Sequence, residues 1–228
     1  LRNRDLDQAL ITDPEKAAQQ AKIITQDGKV ISFDGSEINI NAQTICIHSD
    51  TPNTLDIAKN VEIIFHLGAL IAIPYSYIHP RQVVMTNINS TLNVMMAAKE
   101  CPNIERIIHT SSSEVYGSAQ YVPMDEKHPL DCQSPYAASK VGADKIAESF
   151  YKSYNLPVSI IRPFNCYGPR QSARAVIPTI ISQALNKNEI HIGSTFTKRD
   201  YTYCSDTVDA IIALSNCEKA IGEVVNAG

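Results

Sequence analysis

The side chains whose types and spacing best suit proton transfer are those of Tyr136 and Lys140. On a helix, residues four apart lie on the same face, with about 5–6 Å between their Cβ atoms. An ammonium group beside a phenol stabilises the phenolate, so we expect Lys140 to lower the pKa of Tyr136 from its ordinary value of about 10. The pair would then act as an acid and a base near neutral pH. The spacing alone is a weak signal, because a tyrosine beside a solvated lysine also occurs on ordinary helices.

Two further polar motifs follow predicted strands. The first is Thr110-Ser-Ser-Ser-Glu-Val-Tyr-Gly117, which carries hydroxyls and the carboxylate of Glu114, and the second is Arg162-Pro-Phe-Asn165. In an open α/β sheet, ligands bind in the crevice at the carboxyl ends of the strands. We therefore expect both motifs and the start of the Tyr136 helix to converge on one edge of a sheet.

Strands and helices alternate along the sequence that holds these motifs. Asp13 before Pro14 predicts the start of a short helix over residues 15–24, and Asp34-Gly35 predicts a hairpin turn. The predicted elements are hairpin strands at residues 29–33 and 38–40, parallel strands at 44–48, 61–67, 105–110 and 158–162, and helices at 86–99, 136–154, 177–187 and 205–216. This alternation predicts the α/β class, as a Rossmann-like three-layer sandwich around a mostly parallel sheet.

Composition and charge exclude several classes of protein. The chain has 228 residues, 44% of them hydrophobic, with 20 Lys and Arg against 24 Asp and Glu. An apolar fraction of this size indicates a globular protein, and the lack of a basic stripe excludes nucleic acid and an anionic membrane as partners. The longest apolar stretch, residues 63–78, is interrupted by polar residues and is shorter than the roughly 20 residues that span a bilayer.

The cysteines give no sign of a metal site or a disulfide framework. Six are present, none in a C-x-x-C pair and none with the spacing of a zinc ligand set. We therefore expect no metal and predict inert thiols in a reducing cytoplasm.

Residues 61–228 resemble the extended short-chain dehydrogenase/reductases, and within them the NAD-dependent nucleotide-sugar epimerase/dehydratase family. The motifs that carry the resemblance are Phe65-His-Leu-Gly-Ala69, Thr86-Asn87, Ser112-Ser-Glu-Val-Tyr-Gly117, Tyr136 with Lys140, Arg162-Pro-Phe-Asn165 and Arg199-Asp-Tyr201. The segments at residues 70–75 and 169–178 are most similar to 4,6-dehydratases of UDP-N-acetylglucosamine type. The resemblance implies NAD as cofactor, a nucleotide-sugar substrate like UDP-N-acetylglucosamine, and a homodimer in the intact family.

The resemblance also implies a role for each matching position. Tyr136 would take the proton of the sugar C4 hydroxyl, Lys140 would hold the cofactor ribose, and Ser112 would hydrogen-bond the same C4 oxygen. Glu114 would remove the proton from C5, after which water leaves from C6. The other implied contacts are with the cofactor, at Asp50, Leu67, Gly68, Ala69, Asn87 and Pro163, and with the substrate, at Ser113, Asn165, Arg174 and Arg199.

Glu114 favours elimination over simple epimerisation, since epimerases of this family usually lack a carboxylate at that position. UDP-glucuronate decarboxylases can carry one, so decarboxylase and epimerase remain alternatives. Ser113 stands where many of the dehydratases have an aspartate as the acid for the leaving hydroxyl. The identity of that acid is therefore left open.

Residues 1–59 resemble a different family, the C-terminal end of the LamB/YcsF proteins, which are components of 5-oxoprolinase. The motifs are Leu1-Arg-Asn-Arg4, Ile11-Thr-Asp-Pro14, Asp27-Gly-Lys29, Asp34-Gly-Ser-Glu37 and Thr44-Ile-Cys-Ile-His48-Ser-Asp50. We therefore expect a LamB/YcsF-like segment at residues 1–60 joined to an epimerase/dehydratase domain at residues 61–228, truncated at both ends. The alternative is a dehydratase N-terminus whose sequence has drifted.

The usual glycine-rich first turn of a dinucleotide-binding fold is missing from residues 1–60. Gly28 and Gly35 are the only glycines before Gly68, and neither stands in a glycine-rich motif. Because such a turn presents backbone N–H groups to the pyrophosphate, we expect weak binding of NAD. The chain is then an NAD-dependent enzyme, a non-catalytic fragment of one, or a remnant of the LamB/YcsF component of 5-oxoprolinase.

Overall fold

The computed structural model describes residues 11, 13–32, 34–40 and 61–228. The chain divides into two compact units, of which one runs to Glu62 and includes Met96–Ile104. The other comprises Ile63–Met95 and Glu105–Gly228. The predicted strand at residues 44–48 and the predicted ribose contact Asp50 lie outside the described residues.

The first unit contains the predicted helix and hairpin. Helix α1 (Pro14–Lys22) begins at Asp13, whose carboxylate accepts hydrogen bonds from two backbone N–H groups of the first turn. A π-helical turn follows the helix and ends at Gly28, which has a positive φ of 62°. Strands β1 (Lys29–Ile31) and β2 (Glu37–Asn39) then pair antiparallel. The helix and the hairpin are confirmed.

The second unit is built on a parallel sheet. Its strands are β3 (Ile63–His66), β4 (Arg106–Thr110), β5 (Val158–Pro163), β6 (Asn165–Tyr167), β7 (Tyr201–Tyr203) and β8 (Val224–Ala227). Four of them form one sheet in the order β3-β4-β5-β8, with every neighbouring pair parallel. The short strands β6 and β7 form a separate parallel pair. The predicted parallel pairing of the strands near residues 61 and 105 is confirmed.

The helices of the second unit connect these strands. They are α2 (Ile73–Ile78), α3 (Pro80–Lys99), α4 (Pro135–Tyr154), α5 (Val176–Asn186) and α6 (Cys204–Ser215). Helix α3 begins at Pro80 instead of the predicted residue 86, since a proline fits the first turn of a helix, where its missing N–H costs nothing. Among the described helices, none is long and apolar enough to cross a membrane.

Successive side chains of the central strand β4 contact helices on opposite faces of the sheet, so the sheet is covered on both faces. Ile108 of β4 packs in an apolar cluster with Ile211 and Leu214 of α6. The next residue of β4, His109, lies instead against Asp144 of α4. Because successive side chains of a strand point to opposite faces, α6 and α4 lie on opposite sides of the sheet. The predicted three-layer α/β sandwich is confirmed.

The outer edge of β8 is covered by a loop side chain. The backbone N–H of Asn226 donates to the carboxylate of Glu126 at 2.7 Å, and the Asn226 side chain donates to the carbonyl of Met124 at 3.3 Å. Glu126 therefore takes the place that a neighbouring strand would occupy at this amide.

We expect Ile108→Ala to lower the free energy of unfolding by about 2–5 kcal/mol, because it leaves a cavity in the fully buried cluster on the α6 face. The matched control is Ile212→Ala on α6, where the side chain is 48% exposed and little apolar area is lost. Urea unfolding of both variants measures the difference. Equal losses would contradict the placement of the core.

Candidate active site

The polar motif after β4 forms a tight turn at the carboxyl edge of the sheet. The Ser112 hydroxyl accepts a hydrogen bond from the backbone N–H of Glu114 at 3.2 Å and so caps the 3-10 turn Ser113–Tyr116. Gly117 ends the turn with φ 65°, and a Cβ there would collide with the carbonyl of Asp131. Capping and glycine together fix Ser112 and Glu114 where β4 ends.

Helix α4 brings the tyrosine–lysine pair to the same edge. The Ser134 hydroxyl accepts from the backbone N–H of Ala137 at 3.0 Å, which starts the helix just before Tyr136. The side chains of Tyr136 and Lys140 are buried, and the Lys140 ammonium donates to the carbonyl of Thr110, the last residue of β4, at 2.6 Å. The lysine is thus anchored to the end of the central strand.

The structure brings Ser112 and Glu114 close enough to Tyr136 to change its pKa. Burial raises the pKa of the phenol, the Ser112 hydroxyl lowers it, and the negative charges of Glu114 and Asp144 raise it further. The net shift is upward, so the expectation that Lys140 lowers this pKa is wrong in this structure. The reason is that the phenolate is penalised by burial, an effect that spacing along a helix does not reveal.

Burial acts in the opposite direction on Lys140, since it disfavours the charged form of an amine. It lowers the pKa of Lys140 to about 8, although the negative charge of Asp144 raises it in part.

Asn87 is buried behind the loop that follows β3. Its side-chain oxygen accepts from the backbone N–H of Leu70 at 2.7 Å, and its amide nitrogen donates to the Leu70 carbonyl and to the Ser139 hydroxyl at 2.9 Å. Ser139 stands on α4, so Asn87 ties this loop to the helix that carries Tyr136. The predicted cofactor contact at Asn87 stays a prediction.

The other predicted cofactor residues of the second unit lie at strand ends on the same edge. Leu67 and Gly68 are exposed and Ala69 is half-buried, directly after β3. Pro163 is the last residue of β5 and is half-buried.

The predicted substrate residues are spread over three segments. Asn165 of β6 donates its backbone N–H to the carbonyl of Asp200 at 3.0 Å, and Arg199 is the residue before Asp200 in the connection that leads to β7. Arg174 is exposed in the connection before α5. Ser113 is buried in the turn after β4. The structure therefore places Asn165 against the residue that follows Arg199, and holds Ser113 in the same turn as Glu114.

Asp144 is a buried carboxylate beside the candidate site that the sequence analysis did not single out. It lies one helical turn beyond Lys140 on α4, is 2% exposed, and accepts a hydrogen bond from the Ser111 hydroxyl at 2.8 Å. The signal that could have found it is its position, since residues 136, 140 and 144 recur every four residues on one helix face.

A cavity of about 520 Å³ lies away from these catalytic candidates. Its lining combines acidic and basic side chains from the loop at residues 125–128, from α4 and from β8, among them Glu126, Lys127, Lys145, Glu148 and Glu223. Neither Tyr136 nor Glu114 lines it, so the crevice at the carboxyl edge is the better candidate site.

A parallel sheet with a buried tyrosine–lysine pair at its carboxyl edge defines the class as Rossmann-like proteins of the short-chain dehydrogenase/reductase type. The family model described as GDP-mannose 4,6 dehydratase matches residues 43–228, and the chain belongs to that family. The LamB/YcsF family model matches residues 1–71, which confirms the second resemblance. The two matches overlap at residues 43–71.

Known proteins agree with this assignment. The human dTDP-D-glucose 4,6-dehydratase is 33% identical over 172 residues, which are 75% of this chain and 48% of that protein. The structure of dTDP-glucose 4,6-dehydratase from Streptomyces venezuelae with NAD bound superposes with a TM-score of 0.70 at 30% identity, covering 76% of this chain and 54% of that one. The structure of UDP-N-acetylglucosamine 4-epimerase from Methanobrevibacter ruminantium M1 superposes with a TM-score of 0.70 at 34% identity, covering 75% of this chain and 56% of that one. The chain spans about half the length of the curated relatives it matches.

Proposed function

We propose that this chain carries the active site of an NAD-dependent nucleotide-sugar 4,6-dehydratase. The observation that carries the proposal is the meeting of Ser112, Glu114, Tyr136 and Lys140 at the carboxyl edge of the sheet. The dehydratases of humans and of Streptomyces venezuelae, at 33% and 30% identity, support the same chemistry.

The finer parts of the proposal follow from the family resemblance. The substrate is a nucleotide sugar like UDP-N-acetylglucosamine, and the working form is a homodimer in the cytoplasm. Free thiols at Cys132, Cys166, Cys204 and Cys217 support a reducing compartment. The epimerase/dehydratase domain is residues 61–228, and residues 1–60 are the LamB/YcsF-like segment.

The residues at the carboxyl edge fit the ribose and nicotinamide end of NAD. An ammonium group has three donors, and the bond from Lys140 to Thr110 uses one, which leaves donors for ribose hydroxyls. The exposed backbone of Leu67 and Gly68, together with Ala69 and Pro163, would line the cofactor, and Asp50 would meet the adenine ribose. When bound, NAD accepts a hydride from C4 of the sugar and returns it after elimination.

Tyr136 and Ser112 act at the C4 oxygen. The phenolate of Tyr136 takes the proton of the C4 hydroxyl, and the Ser112 hydroxyl donates to the same oxygen. Because burial raises the pKa of Tyr136, the phenol is its stable form between turnovers. The phenol must therefore lose its proton to solvent before it can accept that of the C4 hydroxyl, and the positive charge of the Lys140 ammonium, one helical turn away, would favour this loss. The same phenol returns the proton at the end of the reaction.

Glu114 acts at C5. A ketone at C4 makes the C5–H bond acidic, so the Glu114 carboxylate can remove that proton while the C6 hydroxyl takes up a proton from a general acid and leaves as water, which forms a C5–C6 double bond. Ser113, Asn165, Arg174 and Arg199 bind the substrate, with the arginines suited to the diphosphate oxygens.

A nucleotide-sugar 4-epimerase is the second candidate. Two epimerase structures support it. The Methanobrevibacter enzyme superposes with a TM-score of 0.70 at 34% identity, and UDP-glucuronic acid 4-epimerase from Bacillus cereus superposes with a TM-score of 0.71 at 29% identity. Both activities begin with oxidation at C4. They differ afterwards, because only the dehydratase needs a base at C5.

We expect Glu114→Gln to slow the loss of water by about 10²–10⁴-fold, the usual contribution of a general base. The chain is incubated with millimolar NAD and UDP-N-acetylglucosamine or dTDP-glucose, and mass spectrometry follows the dehydrated product. Formation of the C4 ketone should persist in the variant, because Tyr136 and Ser112 are unchanged. The matched control is Glu105→Gln, at the opposite end of β4. A product of unchanged mass and inverted C4 would show an epimerase, and no product with any of these sugars would refute the proposal.

A further inference from the structure

We propose that Asp144 is a positioning residue of the active site, which anchors the Tyr136–Lys140 face of α4 to the ends of β4 and β5 and supplies the negative charge that keeps the Lys140 side chain in its ammonium form. The role of Lys140 rests on the proposed function. The effect of the Asp144 charge on the pKa of Lys140 is independent of the proposed function, and it can be measured by titrating the lysine directly.

Asp144 is held by three groups from two neighbouring strands. The Ser111 hydroxyl, just after β4, donates to one carboxylate oxygen at 2.8 Å, and the Arg162 guanidinium of β5 donates to the same oxygen at 3.1 Å and 3.3 Å. The other oxygen lies 3.3 Å from the imidazole Nε2 of His109 on β4. A carboxylate on α4 is thereby fixed to both strands whose carboxyl ends form the candidate site.

The arginine in this cluster is itself restrained. The guanidinium of Arg162 also donates to the Tyr116 hydroxyl at 3.0 Å, and that hydroxyl donates to the side-chain oxygen of Asn226 at 2.7 Å. Tyr116 lies in the turn that contains Glu114, and Asn226 lies on β8. The contacts of Asp144 therefore continue into the turn that positions the proposed C5 base.

Asp144 is a carboxylate at neutral pH. Burial raises its pKa, but the imidazole N–H of His109, the hydroxyl of Ser111 and the positive charge of Arg162 outweigh burial and lower it. The pKa of His109 is itself lowered by burial, so its imidazole is neutral and Arg162 is the cation that compensates Asp144. A buried carboxylate of this kind acts on its neighbours with little screening by solvent.

Of the described titratable groups near Lys140, Asp144 is the one that carries a charge able to raise the pKa of the lysine. Burial lowers its pKa, and the charge of Asp144 is the influence that opposes burial. On the adjacent strands, His66 of β3 and His109 of β4 carry imidazoles whose pKa values are lowered, to about 3 for His66, so neither adds charge near pH 7. Tyr136 precedes Lys140 on the same helix and is a neutral phenol. Loss of the Asp144 charge should therefore convert Lys140 to the free amine at a lower pH.

The test is the titration of Lys140 in the complete chain labelled with ¹³C-lysine, followed by NMR and assigned with Lys140→Arg. We expect Asp144→Asn to lower the midpoint by about one pH unit or more, as loss of a nearby opposite charge does. The matched control is Glu148→Gln, one turn further along α4, where the carboxylate pairs with Lys145 and Lys152 instead. Its Lys140 midpoint should stay at the wild-type value.

A second variant covers the case in which Asp144→Asn does not fold because Arg162 is left buried without its partner. Asp144→Asn combined with Arg162→Met removes both charges of the buried pair, a change that proteins often tolerate. The Lys140 midpoint should fall in this variant too, by less than in Asp144→Asn, because the positive charge lost from Arg162 had opposed the charge of Asp144. Ser111→Ala provides the structural comparison, because it removes one hydrogen bond to Asp144 and keeps the charge. It should lower stability and leave the midpoint in place.

The outcomes separate this inference from the proposed function. A Lys140 midpoint that stays within about 0.3 pH units of wild type in the Asp144 variants would overturn it, whatever the enzyme assays show. A fall in the midpoint in a chain without dehydratase activity would support the charge relation and count against the proposed function alone. An equal fall in Ser111→Ala would show that Asp144 acts only through packing, and would also overturn it.

Discussion

Replacing Tyr136 by phenylalanine should lower the rate of NAD reduction by the sugar nucleotide by about 10²–10⁴-fold, because the variant has no group to take the C4 proton. The change removes one buried hydroxyl and leaves the ring, so the helix and its packing should persist. Affinity for NAD should change little, since Lys140 keeps its anchor on Thr110. The measurement is a single-turnover record of NADH absorbance with NAD at millimolar concentration and enzyme in excess over substrate.

The matched control for this experiment is Tyr151→Phe, the same chemical change on the same helix. Tyr151 lies beside Gly222, near the amino end of β5 and not at the carboxyl ends that form the candidate site, so the rate of NAD reduction should match that of the unmodified chain. If the Tyr136 variant kept its rate within a few-fold, the assignment of the proton-transfer group would be wrong.

Binding of NAD to this chain should be weaker by about a thousandfold than binding to a relative with a glycine-rich first turn. Such a turn presents backbone N–H groups to the pyrophosphate, and the sequence of residues 1–60 contains none. Losing three charge-assisted hydrogen bonds, each worth about 1.5 kcal/mol, removes about 4.5 kcal/mol, and 1.4 kcal/mol is about tenfold in affinity.

Isothermal titration of NAD into this chain and into the dTDP-glucose 4,6-dehydratase of Streptomyces venezuelae, whose structure has NAD bound, provides the comparison. A dissociation constant in the low micromolar range for this chain would contradict the prediction. It would also show that residues 1–60 supply phosphate contacts of another kind. The assays of turnover therefore need millimolar cofactor, so that a weak complex is still populated.

The central strands were predictable because each is a short segment with adjacent apolar, mostly β-branched residues at its centre. Residues 63–66, 106–110 and 158–163 are strands in the structure, close to the predicted bounds. Strands β6 and β7 were not predicted, since each has only three residues and is stabilised by a partner far along the chain. The same applies to helix α2, a six-residue segment in an apolar stretch that carries no helical periodicity.

The catalytic candidates were predictable from local motifs, and their environment was not. Tyr136 and Lys140 share a helix, so their proximity follows from spacing. The partners of Asp144 are separated from it by 33 residues at Ser111 and 18 at Arg162, and no local pattern connects them. The upward shift in the pKa of Tyr136 was missed for the same reason, because burial depends on elements that meet only in the folded chain.

The contact between Glu126 and the edge of β8 also bears on how the protein avoids self-association. An open strand edge exposes unpaired amide and carbonyl groups, which can template pairing with a strand of another molecule and lead to aggregates. Glu126 occupies the Asn226 amide with a charged side chain, and its repulsion of a second copy would hinder edge-to-edge growth. Replacing Glu126 with a neutral residue should therefore lower solubility and storage stability at high protein concentration more than it lowers catalytic activity.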